Sequence, residues 1–164
     1  MIIPTILIDT LAAFGEVFEF VLPVGVGLDA LRRGYTKEML ILSLCAGVQQ
    51  VVIFSLKFLI TAPRPFPYDW KMDSFPSGHT AGAFLAVGFL YAFDYLLRQH
   101  FHTSYVSFSC KISVLIGATL VGISRYLSCM HYPIDVIAGA FLGIFFGATS
   151  VFLSFVKRES KLIS

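Results

Sequence analysis

Several uninterrupted apolar stretches in this chain approach the roughly 18 to 20 residues that a helix needs to cross a hydrocarbon core about 30 Å thick. Composition points the same way: 57% of the 164 residues are hydrophobic, 13% are charged, and the mean hydropathy is +0.80. A soluble domain with a hydrated surface rarely combines these values. The expected fold is all-α, a polytopic membrane helix bundle of about five transmembrane helices, six being the alternative. It forms a single membrane-embedded domain over residues 1–164. Apolar runs between polar breaks place the spans near 10–31, 39–61, 79–97, 107–127 and 133–156. In the first of these Glu16 and Glu19 share a face and Pro23 is a candidate kink, so residues 2–14 lying along the membrane surface is the alternative there.

Charge excludes several classes. The first basic residue is Arg32, and Asp9, Glu16 and Glu19 precede it, so no cleaved signal peptide is expected. A net charge of +2 with scattered basic residues offers no footprint for nucleic acid. Cys45, Cys110 and Cys129 show no paired spacing and indicate neither a zinc site nor a disulfide framework.

Lysine and arginine orient the bundle, because short cytoplasmic loops collect them. Arg32, Arg33, Lys37, Arg98, Lys111, Lys157, Arg158 and Lys161 fall on one side, eight of the twelve basic residues. Lys57, Arg64, Lys71 and Arg125 fall on the other. The first side is then cytoplasmic, and the loops 62–78 and 125–132 lie at the outer face, with the N-terminus. The loop 62–78 has four of the seven prolines and the aromatics Phe66, Tyr68, Trp70 and Phe75, which read either as an interfacial lip or as an ordinary aromatic belt.

That outer end also holds the residues able to do chemistry. Lys57 and Arg64 are seven residues apart, two helical turns, so both project from one face of the second span and can grip an anion together. Snorkelling to headgroups is the alternative for this pair alone. Pro76-Ser77-Gly78-His79 opens the third span, where Gly78 lets backbone approach a ligand at the amide-rich helix start; a plain capped start with Ser77 as cap is the alternative. His131 and Asp135 flank Pro133, which suits a first helical turn, and the carboxylate lies one turn from the imidazole. A carboxylate on one ring nitrogen fixes the tautomer and frees the other nitrogen as nucleophile or base. A His–Asp pair that only satisfies two buried groups is the alternative. Two histidines, one carboxylate and three cations converging on one membrane face argue for a functional site. The set makes a poor cation site and a good anion site, and the expected ligand is phosphate.

The pattern Lys57, six residues, Arg64-Pro65; then Pro76-Ser77-Gly78-His79; then Ser124-Arg125, five residues, His131, three residues, Asp135, resembles the complete three-part signature of the type 2 phosphatidic acid phosphatase superfamily. The signature lies within residues 57–135, about half the chain. The resemblance implies that His131 attacks phosphorus, Asp135 orients it, and His79 protonates the leaving alcohol. It further implies that Lys57, Arg64 and Arg125, with the Ser77 hydroxyl, the Gly78 amide and help from Ser124, hold the phosphate oxygens, and that neither metal nor other cofactor is needed. The two histidines need opposite protonation states, which makes a bell-shaped pH profile the expectation. Membrane members of the family usually have six spans; five are counted here, the missing one falling before the signature.

The function these features imply is metal-independent hydrolysis of a lipid phosphate monoester or pyrophosphate: lipid A 1-phosphate, phosphatidylglycerophosphate, phosphatidate or undecaprenyl pyrophosphate. Transfer of the phosphoryl group to a second lipid is the alternative. A haloperoxidase is disfavoured because such relatives are soluble, and a non-catalytic headgroup binder because binding alone needs no histidine pair. The expected location is a bacterial cytoplasmic membrane, with the bilayer and a lipid phosphate as partners and the site facing outward.

Overall fold

The computed structural model describes residues 5–65 and 73–162. They form five helices: α1 (Thr5–Arg32), α2 (Thr36–Ile60), α3 (Gly78–Phe101), α4 (Phe108–Leu127) and α5 (Pro133–Leu162). Each contains an apolar segment of 20 to 25 residues, enough to cross a bilayer. Number and order match the expected spans, and several ends extend further. α1 runs without a break through Pro23, so residues 5–14 continue the first helix instead of forming a separate surface helix. The aromatics Phe66, Tyr68 and Trp70 and the cation Lys71 lie outside the described residues, as do the side chains of Lys157, Arg158 and Lys161.

α3 is the central helix. In its span 72% of residues are buried, against at most 28% in any other, so its neighbours must wrap it while turning their own apolar faces to lipid. α5 packs most extensively on it. The cause is a stripe of glycines on α5, Gly139, Gly143 and Gly147, whose missing side chains let the backbones touch. Their Cα atoms face the carbonyls of Ser77, Ala81 and Leu85 on α3. A Cβ on Gly143 would stand 2.8 Å from Phe84 Cβ and 2.9 Å from Leu85 N, and one on Gly147 would stand 2.7 Å from Phe89 N. Gly88 reciprocates against the Ile144 backbone. Elsewhere on α5, Phe141 and Phe145 are exposed, as lipid-facing positions should be.

α2 leans mainly on α5 and touches α1 and α3 only lightly. A cavity of about 620 Å³ opens between α1, α2 and α3 as a result. The far end of the bundle is closed by Asp94, 1% exposed, which accepts hydrogen bonds from Arg98 Nε (2.8 Å), Lys111 Nζ (2.7 Å), Ser104 Oγ (2.8 Å) and the Tyr105 amide (2.8 Å). That carboxylate is fully partnered and knits the α3–α4 turn. Because consecutive helices reverse direction, Arg32, Arg33, Lys37, Arg98 and Lys111 gather at this far end, and the ends of α2, α3, α4 and α5 that carry the signature residues gather at the other.

Candidate active site

His131 sits on a tight turn between α4 and α5. α4 ends at Leu127, Cys129 adopts a left-handed conformation (φ 54°), and the amides of Met130 and His131 both donate to the Arg125 carbonyl at 3.1 and 3.3 Å. Pro133 then starts α5, where an absent N–H costs nothing. Asp135, in the first turn of α5, accepts from the Tyr132 amide at 2.8 Å and so caps its own helix. The same oxygen lies 3.5 Å from His131 Nδ1, with both side chains 2% exposed. The contact is longer than a formed hydrogen bond and leaves Nδ1 without a partner among the described residues, a spacing of the kind that tightens when substrate fills a site. It leaves Nε2 as the nitrogen available for attack. The Asp135 carbonyl accepts from the Ser77 amide at 3.0 Å, which ties the start of α5 to the start of α3 and brings His79 to the same place.

Lys57, Arg64, Arg125, Gly78, His79 and His131 all line one end of the cavity. Arg64 arrives there by a different route from the one its spacing implied. α2 ends at Ile60, Thr61 turns left-handed (φ 43°), and Arg64 stands on the loop beyond, where Nη1 donates to the Met130 carbonyl at 3.3 Å. Lys57 is still helical, and its ammonium donates to the carbonyls of Asp73 (2.6 Å) and Ser74 (3.2 Å), which fixes those two residues beside the end of α2. Arg125 is wholly buried and donates through Nη2 to the Ala12 carbonyl of α1. Gly15 of α1 leaves the room for it, because a Cβ there would overlap the guanidinium. Three cations against an apolar wall attract an anion far more strongly than they would in water.

Ser77 and Ser124 do not line the cavity. Ser77 Oγ is the N-cap of α3, 3.4 Å from the Thr80 amide and 2.9 Å from Thr80 Oγ1, and Ser124 Oγ donates to the Val121 carbonyl at 2.7 Å. Both hydroxyls are committed to helix ends. Four polar side chains outside the set expected from the sequence also line it: Glu16 and Glu19 on α1, and Gln49 and Gln50 on α2. Glu19 Oε1 is 3.6 Å from His79 Nε2, and Glu16 Oε1 is 3.9 Å from Arg125 Nη1. The signal was present, since two carboxylates three residues apart inside a span are costly unless paired. Gln49 is 1% exposed, and its Oε1 has no hydrogen-bond partner among the described residues.

Burial, and after it the charges of Arg64, Lys57, His79 and Arg125, push the His131 imidazole down from 6.5 to about 3. A nucleophilic histidine must be neutral, and this one is neutral throughout the physiological range. The expected pH profile of kcat/KM therefore shows no acid limb from His131 between about pH 7 and pH 4. An acid limb near pH 6.5 that traces to this residue would contradict the geometry. The unfolded chain binds this proton near 6.5 and the folded one near 3, so the stability held above pH 6.5 is lost as pH falls through that window.

Fold and site define an integral membrane protein with a histidine–carboxylate pair set among cations at the end of an apolar cavity. The PAP2 superfamily model matches residues 38–159, and the chain belongs to that superfamily. A PAP2 type phosphatidylglycerolphosphate phosphatase from Bacillus subtilis superimposes with a TM-score of 0.67 at 26% identity, over 98% of this chain and 80% of that one. Aquifex aeolicus LpxE superimposes with a TM-score of 0.66 at 24% identity, over 92% of this chain and 87% of that one, a likeness of fold. In sequence, the bacitracin transport permease protein BcrC of Bacillus licheniformis is 40% identical over 94 residues, which are 55% of this chain and 40% of that protein's length.

Proposed function

We propose that this protein is a lipid phosphatase working through a phosphohistidine, on a lipid phosphate monoester or pyrophosphate. The observation that carries the reading is the meeting of His131, backed by Asp135, with Lys57, Arg64, Arg125 and His79 around one end of the 620 Å³ cavity. Phosphoryl transfer asks little covalent chemistry of a protein and much positioning and charge. The three cations and the Gly78 amide hold the phosphate oxygens, His131 Nε2 bonds to phosphorus, and His79 delivers a proton to the departing oxygen. Water then cleaves the P–N bond, with His79 taking the proton back.

The remainder of the cavity supports a lipid in place of a soluble ester. Below the charged end its walls are Phe20, Pro23, Ala46, Phe54 and Leu85, a lining for the carbon chain nearest the headgroup. The thin α1–α2 contact is a side door through which a lipid enters from the bilayer. The basic residues at the far end support a site on the outer face, which in a bacterium faces the periplasm or the exterior.

Detergent-solubilised protein is expected to release phosphate, in excess chelator, from at least one of lipid A 1-phosphate, phosphatidylglycerophosphate, phosphatidate and undecaprenyl pyrophosphate assayed side by side. Strict dependence on an added divalent metal, or no release from any of the four, would overturn the reading.

A further inference from the structure

We propose that Glu19 is the positioning residue for His79: the α1 carboxylate holds the imidazole in place as proton donor, as Asp135 holds His131. The inference rests on the reading of His79 as the group that protonates the leaving oxygen. The two pairs have nearly the same spacing, 3.6 Å for Glu19–His79 and 3.5 Å for Asp135–His131, and both line or back the same charged end of the cavity. Neither carboxylate is at the surface in the ordinary sense; the Glu19 side chain is 15% exposed.

Glu19 is held where it stands by the rest of α1. Ala12 accepts from Arg125, Gly15 abuts Arg125 and Ser124, and Glu16 faces Arg125, so residues 12, 15, 16 and 19 form one stripe turned to the site. On the other side Gly82, in the turn after His79, brings the α3 backbone against Glu19, with room for a Cβ at 3.9 Å from Oε2. The groups around His79 are otherwise cationic: Lys57 from α2, Arg64 from the loop and Arg125 from α4, with His131 beyond. An imidazole that must carry a proton among three cations needs an anion beside it, and Glu19 is the carboxylate in contact.

The balance of the step is simple. As His131 Nε2 forms its bond to phosphorus, the ester P–O bond breaks and the departing oxygen takes the proton from His79, whose other nitrogen Glu19 steadies. In the second half water attacks phosphorus, the P–N bond breaks, and the water's proton returns to His79. Glu19 touches neither phosphorus nor the departing oxygen, which separates its role from that of His79.

Glu19→Gln is expected to lower kcat on the best lipid substrate about 10- to 100-fold with KM within about twofold, the loss typical of an outer partner of a catalytic imidazole. Glu19→Asp is expected to recover part of that loss, and Asp9→Asn, at an exposed carboxylate of α1 away from the cavity, to stay within about threefold of the parent. In a His79→Ala background Glu19→Gln should add almost nothing, because the two act as a unit. Additive losses, an unchanged kcat, or equal losses from Asp9→Asn would overturn the proposal. If Glu19→Gln does not fold, the same comparisons run on Glu19→Asp. A readout free of turnover keeps this apart from the phosphatase reading: in 15N-histidine NMR in micelles, Glu19→Gln should move the His79 Nε2 signal and Asp9→Asn should not. An unmoved signal sinks the proposal even if lipid phosphate is hydrolysed, and a moved one supports it even if the substrate proves different.

Discussion

Replacing His131 by alanine is expected to cut phosphate release by at least about 10⁴-fold while the protein stays folded. The magnitude follows from the kind of group removed. A nucleophile that splits one displacement into two cannot be replaced by water without losing the covalent route, whereas a cation that only steadies charge leaves a slower version of the same route. His131→Ala removes a neutral imidazole at the wall of an open cavity, so its loss leaves no charge unpaired and should not by itself unfold the bundle. Asp135→Asn, which keeps the shape and the helix cap but loses the charge, is expected to fall between, about 10- to 10³-fold down. Two measurements check this. One is steady-state phosphate release; the other is trapping of a labelled enzyme by alkaline quench, since a P–N bond survives base and is cut by acid. Label retained by His131→Ala, or activity near that of the parent, would place the nucleophile elsewhere.

The second large effect concerns architecture. Gly143→Leu is expected to abolish activity together with folding, and the milder Gly143→Ala to lower the thermal midpoint in detergent, with overpacking costing about 1 to 3 kcal/mol. The Gly143 position has no slack, because the atoms a Cβ would meet are the Ala81 carbonyl and the Leu85 amide nitrogen, which belong to the α3 backbone. Forcing α5 outward there also moves Asp135, whose carbonyl is bonded to the Ser77 amide, two residues from His79. Activity should therefore fall further than stability alone accounts for. Replacing Gly25, where a Cβ meets nothing within 4 Å, should leave both properties near the parent. Equal sensitivity at Gly25 and Gly143 would remove the close α3–α5 contact as the explanation.

The glycine stripe was readable in principle, as three glycines at intervals of four on one apolar segment, yet the stripe says only that a backbone comes close and not which one. The same division runs through the site. His131 and Asp135 could be paired from sequence because four residues and a proline confine them to one turn. The spacing of seven between Lys57 and Arg64 implies a single helical face, yet the helix stops between them; they reach the same cavity because the chain turns at Thr61 and Arg64 bonds to the Met130 carbonyl. Ser77 and Ser124 have hydroxyls of the right chemistry for phosphate, but the nearest unsatisfied groups to each are the ends of their own helices, and local bonds form first.

By itself the sequence determined the number of spans, their order, the end of the bundle at which the signature residues meet and the His131–Asp135 pair, because hydrophobic length and helical spacing act over tens of residues or fewer. Only the tertiary structure decided that α1 joins the site. Nothing between residues 19 and 79 says that Glu19 and His79 lie 3.6 Å apart; that contact depends on Gly15 fitting over Arg125, a side chain 110 positions further along the chain. Long-range packing between helices is set by which surfaces leave room for one another, and a one-dimensional pattern carries that only where a glycine or a buried charge betrays it.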